Sequence, residues 1–445
     1  VITVRTYDAR LRCRAIWTSN QNRKSNATAG VSDICPTMRR TSRPFKPNMA
    51  RERVTTLSMV AEEMPRVHTG DVEKARSAAA PPRPIAIIIG QFKHGGSERQ
   101  LYTFLSYCDR NRWSPVVYVS GELGFWEEPI RKLNIPVVLL TGGPLAKMWQ
   151  FRKLCIAQGA KHFFSWSSYT NVYGLALAGL AAHRVGSFRN TGFTDLPSRW
   201  RRIWAWASLA GISTAVCNSR RTKTEISQRS APAKQVVYVP NAIQVFSDDN
   251  LRSYREAWRQ KLGLSDNDVL VLGVGRVEPA KNFKRFVDVV HQVVEQVPIK
   301  AVVAGRDQGD LPAVKAHADQ LGLQKFIQFP GLVPDARELI CAADIFLLSS
   351  DREGMPNVVL EAMAAGVPCV STNVGAIDDV IENGKTGFIA GMDVRALAQH
   401  VHQLAVDPAL RQLFGSRARD AIKSKFQPEH IVGELWTLCE ARIGR

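Results

Sequence analysis

Two carboxylates, Glu353 and Glu361, stand in the stretch Ser349-Ser350-Asp351-Arg352-Glu353-Gly354-Met355-Pro356-Asn357-Val358-Val359-Leu360-Glu361-Ala362-Met363-Ala364-Ala365-Gly366. The pattern reads as a strand end, a loop and a helix start. Glu353 falls in the loop and Glu361 about one and a half turns into the helix, so the pair flanks amides that attract anions. Cations come from Gly273-Val274-Gly275-Arg276-Val277-Glu278-Pro279-Ala280-Lys281-Asn282. Arg276 follows a strand and Lys281 opens the next helix, both expected to aim at one cleft. An arginine fork and a lysine point charge beside helix amides suit a diphosphate. Two solvated surface cations are the alternative. Glu278 occupies the place of the third glycine, so the segment fails as a dinucleotide fingerprint.

Gly95-Gly96 lies between a strand and a helix, where small residues let backbone amides approach a ligand oxygen; a plain tight turn is equally compatible. Of nine histidines, His94, beside Gly95, is the one expected to face the cleft, and there is no H-E-x-x-H. Asp266-Asn267-Asp268 has a D-x-D form but precedes its strand, so a turn without metal is expected. Ser198-Arg199-Trp200-Arg201-Arg202-Ile203-Trp204-Ala205-Trp206 packs three Trp and three Arg into nine residues. On a helix, Arg199, Trp200, Arg201, Arg202 and Trp204 have the composition of an interfacial surface on anionic lipid. A core helix with solvated arginines is the competing reading.

The elements that must hold these groups follow one grammar. Ile345-Phe346-Leu347-Leu348 lacks polar alternation, as a parallel strand covered on both faces should. Pro356 suits the first helical position, and Gly366-Val367-Pro368 ends that helix. From Ile85 onward, similar strands alternate with helices, the first helix running from Ser97, as its cap, to Cys108. The series pauses at Pro240-Asn241 and a polar segment from Ser247 to about Asp268, then restarts at Val269. Two α/β halves follow, each a Rossmann-like, doubly wound parallel sheet, with ligands expected beyond the carboxyl ends of the strands. The expected divisions are a leader over 1–82, domains over 83–245 and 246–428, and a helix over 429–445 that crosses back to the first domain.

The chain has 445 residues, 45% apolar and 22% charged, an ordinary globular composition. No apolar run reaches the roughly 18 residues of a membrane span. Eight cysteines show no metal-like spacing, and a reduced, intracellular chain is the simplest expectation. The net charge of +19 invites a nucleic-acid partner, yet residues 1–84 hold 16 Lys/Arg against 7 Asp/Glu, about half of that excess. The same residues are Arg-, Ser- and Pro-rich with weak periodicity, the signature of a disordered N-terminal leader. Val1 opens the sequence, which makes Met38, Met49 and Met59 candidate natural starts.

The E-x7-E arrangement of Glu353 and Glu361 resembles that of retaining nucleotide-sugar glycosyltransferases. Four blocks in order are similar to glycosyltransferase family 4, also called group 1: His94-Gly95-Gly96-Ser97-Glu98-Arg99, Val239-Pro240-Asn241, Gly275-Arg276 with Lys281-Asn282, and Pro330-Gly331 through Glu361 to Gly384-Lys385-Thr386-Gly387-Phe388. The resemblance runs from about Ile85 to the C-terminus and is more specific in the second half. It implies a GT-B fold, with the two domains facing a central cleft. It also implies a donor site of Gly96, Gly275, Arg276, Lys281, Glu353, Asn357, Val358 and Glu361. Within it, Glu361 would accept hydrogen bonds from the ribose and Glu353 from the donor sugar. Arg276 and Lys281 would hold the diphosphate, helped by amides near Asn357 and Val358, and the catalytic set would be Arg276, Lys281 and Glu353. A UDP-, GDP- or ADP-sugar donor is implied, with no metal and no further cofactor, and a glycan or lipid-linked sugar as acceptor. The setting would be polysaccharide or glycolipid assembly in the cytoplasm, peripherally on the inner face of the membrane, with no nucleic-acid partner.

Two departures from the family pattern matter. Ser187-Phe188-Arg189-Asn190 stands where many members carry a cleft histidine, so Arg189 joins His94 and Gly95 as an acceptor or cleft candidate and no catalytic histidine is carried over. Gly354-Met355-Pro356-Asn357 replaces a glycine-rich version, and Pro356 removes one amide donor. The rivals are a sugar-nucleotide epimerase or phosphorylase on the same fold, a basic nucleic-acid-binding protein, and a non-catalytic module; intact Glu353, Glu361, Arg276 and Lys281 argue against the last.

Overall fold

Unbroken runs of Ile, Val, Leu and Ala can leave neither face to water, and here residues 85–89, Leu270–Val274 and Ile345–Leu348 lie in strands buried on both sides. A computed structural model describes residues 80–180, 183–190, 201–229 and 235–440. The expected leader, except for its last three residues, and the candidates Arg199 and Trp200 lie outside them. The first half contains β1 (Arg83–Ile89), β2 (Trp113–Val119), β3 (Val137–Leu139), β4 (His162–Ser165), β5 (His183–Phe188), β6 (Thr214–Cys217) and β7 (Gln235–Tyr238). The second contains β8 (Leu270–Val274), β9 (Lys300–Ala304), β10 (Ile327–Gly331), β11 (Ile345–Leu348), β12 (Cys369–Thr372) and β13 (Gly387–Ala390).

Their orders are β3-β2-β1-β4-β5-β6-β7 and β10-β9-β8-β11-β12-β13, and the ladders are parallel. The two halves are thus Rossmann-like parallel sheets. In each, the order reverses beside the first strand: β2 and β4 flank β1, and β9 and β11 flank β8. Such a reversal opens a crevice beyond the carboxyl ends, because successive crossovers leave in opposite directions. The loops that leave β1, β8 and β11 carry Gly95-Gly96, Arg276 to Lys281, and Glu353.

Two local expectations change. The first helix runs Gly96–Ser106 with an extended Gly95 at its cap and no side-chain cap, so Ser97 is inside the helix. The polar segment after Ser247 contains a 15-residue helix, Asp248–Leu262. Ser247 Oγ accepts from the Asn250 amide at 3.3 Å, and Gly263, at φ +66°, ends it. Leu251, Tyr254, Trp258 and Leu262 recur at helical spacing, with Trp258 and Leu262 buried. Charges between them hid that period. One, Arg259, is itself buried and donates to Asp344 Oδ2 at 3.0 Å and to the Asp268 carbonyl at 2.8 Å.

The chain passes from one core to the other between Ala242, packed with Ile85 and Trp166, and Ile243, packed with Leu272 and Phe346. It returns after Phe426. The helix Pro428–Glu440 sets Ile431, Val432, Leu435, Trp436 and Cys439 into the first core, Trp436 stacking on Phe104 at 4.2 Å. The two crossings touch, since the Ile243 amide donates to the Phe426 carbonyl at 2.9 Å. Among the described residues no helix is long and apolar enough to cross a membrane.

Candidate functional site

The loop after β8 turns once in a 3-10 helix, Pro279–Lys281, and Asn282 then caps the helix Phe283–Val294. Asn282 adopts φ +47°, which asparagine tolerates because its short amide bonds locally, here accepting from the Arg285 amide at 3.2 Å. Lys281 therefore stands before the helix rather than in it. Its side chain packs along Gly275, where a Cβ would lie 3.6 Å from Lys281 Cδ, an ordinary van der Waals contact. The Lys281 ammonium reaches Glu353 Oε1 at 2.6 Å, and the Ser350 hydroxyl donates to the same oxygen at 2.7 Å. Lys281 and Glu353 are mostly buried, so this pair is far less screened than a surface pair. Arg276 differs from the expected clamp. Its side chain is half-exposed and pairs with Glu278 at 2.9 Å.

The helix after β11 runs Asn357–Ala364, with Pro356 one position earlier than expected, at the cap. As the first residues of the helix, Asn357 and Val358 have amides with no intrahelical partner. Asn357 Nδ2 donates to the Gly96 carbonyl at 2.9 Å, while its Oδ1 accepts from Asn241 Nδ2 at 2.6 Å. Asn241 Oδ1 accepts in turn from Arg189 Nη1 at 3.0 Å, and the Arg189 guanidinium lies 4.0 Å from the Trp166 ring. This relay joins the sheets across the crevice, and desolvation pulls the Arg189 pKa below the ordinary arginine range. The Met355 departure has a structural use: its buried sulfur receives the Asn241 amide at 3.3 Å.

Glu361 is buried on the same helix and accepts from Arg99 Nη1 at 2.8 Å. Burial raises the Glu361 pKa above the ordinary glutamate range, opposed by Arg99 and then Arg337. Arg99 also approaches Asp335 at 3.6 Å, and Asp335 is held by Arg337 at 2.5 Å. Glu98, one residue before Arg99, is buried against Gly95. Desolvation pushes its pKa up to about 7, against its own amide and the charge of Arg276. His94 stacks on Phe125 at 4.0 Å, and burial, Arg306 and Arg99 lower its pKa.

The structure thus brings together Gly96, Gly275, Lys281, Glu353, Asn357, Val358 and Glu361, with Arg276 at the margin and Arg189 linked through Asn241. Arg201, Arg202 and Trp204 lie elsewhere, on the helix Arg201–Ala210. Sequence reasoning passed over Arg99, Asp335, Arg337 and Asn241 as site residues. Asn241 and Arg99 stood in motif blocks, but nothing in spacing alone says that Arg99 crosses 262 positions to meet Glu361. Asp266-Asn267-Asp268 is a turn in which the Ser265 amide and hydroxyl both donate to Asp268 Oδ2 at 2.7 Å.

Residues 254–421 match the family model described as Glycosyl transferases group 1. The N-acetyl-alpha-D-glucosaminyl L-malate synthase of Bacillus anthracis is 29% identical over 230 residues, 51% of this chain and 58% of that protein. The GDP-mannose-dependent alpha-(1-6)-phosphatidylinositol monomannoside mannosyltransferase of Mycolicibacterium smegmatis is 27% identical over 266 residues, 55% of this chain and 68% of its own length. The chain spans about half to two thirds of these curated relatives. The crystal structure of Anabaena HepE in complex with UDP-glucose shares the fold, with TM-score 0.71 at 20% identity, covering 80% of this chain and all of HepE.

Proposed function

We propose that the chain, whose residues 254–421 carry the group 1 glycosyl transferase domain, is a retaining glycosyltransferase. It moves a sugar from a nucleotide-diphospho-sugar to a glycan or lipid-linked acceptor in polysaccharide or glycolipid assembly, at the cytoplasmic face of the membrane and without a metal. The observation that carries the reading is the buried Lys281–Glu353 pair, set beside the amides of Asn357 and Val358 and on the same element as buried Glu361. Names of similar proteins that include UDP-glucose and GDP-mannose support the donor class.

In this reading Glu361 accepts from the ribose hydroxyls. Glu353 accepts from the sugar, its oxygen already held by Lys281 and Ser350. As the glycosidic bond breaks, charge grows on the diphosphate. Lys281, the helix amides and Arg276 meet that charge in a partly water-excluded site, where fixed dipoles act strongly. The acceptor hydroxyl attacks from the face the diphosphate leaves, and a diphosphate oxygen takes its proton, which requires no side-chain base.

Thermal-shift measurements on the full chain with UDP-, GDP- and ADP-sugars test the reading. One nucleotide should raise the melting temperature, and Lys281→Ala or Glu361→Ala should each abolish the rise. A full rise in either variant would put the donor elsewhere. Release of the nucleoside diphosphate should need an acceptor; interconversion of donors without one would identify an epimerase instead.

A further inference from the structure

The cations around the crevice come with carboxylates. Arg99 pairs with Glu361, Lys281 with Glu353, Arg276 with Glu278, Arg285 with Asp351 and Arg337 with Asp335, each within 2.9 Å. Arg189 does not. It is the first residue beyond the carboxyl end of β5, and among the described residues no acidic side chain pairs with it. Its guanidinium sits 4.0 Å from the ring of Trp166, which is buried and fixed by Nε1 donating to the Ser97 carbonyl at 2.8 Å. Nη1 donates to Asn241 Oδ1, a neutral oxygen, at 3.0 Å. Nε is buried without a partner, and Nη2 makes no hydrogen bond, among the described residues. The bonded nitrogen is thus the one on the far side, and the Nε–Nη2 edge, the fork that takes two oxygens of a carboxylate or phosphate, is left over. Desolvation alone pulls the Arg189 pKa down to about 9, with no carboxylate holding it up. Beside it Asn218, 3% exposed, donates to the same Asn241 oxygen at 3.4 Å, and its own Oδ1 lacks a donor among the described residues.

A desolvated cation with only neutral partners is costly, and the cost is recovered when a ligand brings the missing anion. The place suits the second substrate. The Arg189 carbonyl meets the backbone of Gly354, the residue after the sugar-side carboxylate Glu353. In the transferase reading, on which this inference rests, the donor diphosphate is answered from the second half by Lys281, Arg276 and the helix amides. Arg189 and Asn218 belong to the first half, at the carboxyl ends of β5 and β6. We propose that Arg189 binds an anionic group of the acceptor, so that the acceptor is a sugar acid or a sugar phosphate rather than a neutral glycan. Two oxygens of its carboxylate or phosphate lie on the Nε–Nη2 edge, while Trp166 holds the other face of the guanidinium. The family pattern, which has a histidine at this strand end, does not supply this fork.

The test is calorimetric titration of the full chain, saturated with whichever of UDP, GDP and ADP raises its melting temperature most. D-glucuronate, D-glucose 6-phosphate and neutral D-glucose are then titrated at constant ionic strength. Wild type should bind at least one anionic probe roughly tenfold tighter than glucose. Arg189→Gln, which can still donate to Asn241, should lose that advantage. Arg189→Lys should keep only part of it, having the charge without the fork. Circular-dichroism melting shows whether the variants fold; where Arg189→Gln does not, full retention of the advantage by Arg189→Lys overturns the proposal. Equal binding of charged and neutral probes by wild type overturns it too, as does an advantage that survives Arg189→Gln. The donor is the other source of an anion: a tenfold loss of nucleoside diphosphate affinity in Arg189→Gln, with the probe advantage intact, would assign Arg189 to the diphosphate instead. If no nucleoside diphosphate binds wild type, the transferase reading fails and takes this inference with it. If one binds and the probes are not discriminated, this inference alone fails.

Discussion

Arg99 and Glu361 join the two sheets directly: Nη1 of the arginine, from the helix behind Gly96, lies 2.8 Å from Oε1 of the glutamate behind Pro356. The pair has a defined electrostatic job. Glu361 is buried, and Arg99 is the foremost charge opposing its protonation.

Removing Arg99 therefore leaves desolvation less opposed and raises the Glu361 pKa further. An Arg99→Met variant should bind the nucleoside diphosphate more weakly at low pH and recover as pH rises and Glu361 ionises. The span should be on the order of tenfold, whereas the wild type should change less, and Arg99→Lys should restore the wild-type profile. Calorimetric titration between pH 6 and 9 checks this; parallel profiles for Arg99→Met and wild type would mean that Arg99 acts only as packing.

Glu98 supplies a stability prediction. Its folded pKa, near 7, lies above its ordinary value of 4.5, so its contribution is fully present below about 4.5 and is lost as pH rises through 7. Glu98→Gln should remove that slope, worth up to about 3 kcal/mol across the window. Urea unfolding of both proteins at pH 5 and pH 8 measures the difference.

Lys281 and Glu353 should separate kinetically. Lys281→Ala loses charge stabilisation that grows at bond breaking and should lower kcat by roughly 100- to 1,000-fold. Glu353→Gln keeps the ammonium but frees it from its 2.6 Å partner, so the nucleoside diphosphate product should bind at least as tightly while kcat falls. Weaker product binding in Glu353→Gln would contradict the assignment of Glu353 to the sugar side.

Gly354 is a point of backbone contact between the halves. A Cβ there would lie 2.0 Å from the Arg189 carbonyl oxygen, which cannot move aside as a flexible side chain would. Gly354→Ala should cost about 1 to 3 kcal/mol of unfolding free energy and reduce turnover. Gly391→Ala, with nothing within 4 Å of the new methyl, serves as the neutral comparison.

Much of the frame was legible because buried parallel strands have a simple signature, and Ile345–Leu348 or His162–Ser165 could be read to the residue. The helix Asp248–Leu262 was missed because its buried face includes Arg259, whose charge is matched by Asp344 more than 80 positions away. Single loops were partly legible for the site as well: Glu353 sits in the loop that spacing indicated and Asn357 at the helix start, while Lys281 lies in a 3-10 turn just before its expected helix. Pairings across the crevice were not. Arg99 with Glu361 and Asn241 with Asn357 depend on how the halves meet, which local pattern does not encode, whereas Arg276 pairs locally with Glu278 instead of forming an open clamp.

The paired crossings at Ile243 and Phe426 restrict how that meeting can change. The two crossing segments are tied by one backbone hydrogen bond, so they hold the halves at neighbouring points and favour turning about the line they define over sliding. Such a tie would let the halves swing like a book on one spine. Shortening the chain before the helix Pro428–Glu440 would remove one of the two threads and turn a single-axis swing into a loose tether. The Lys281 side of the crevice would then no longer return to the same register against Gly96.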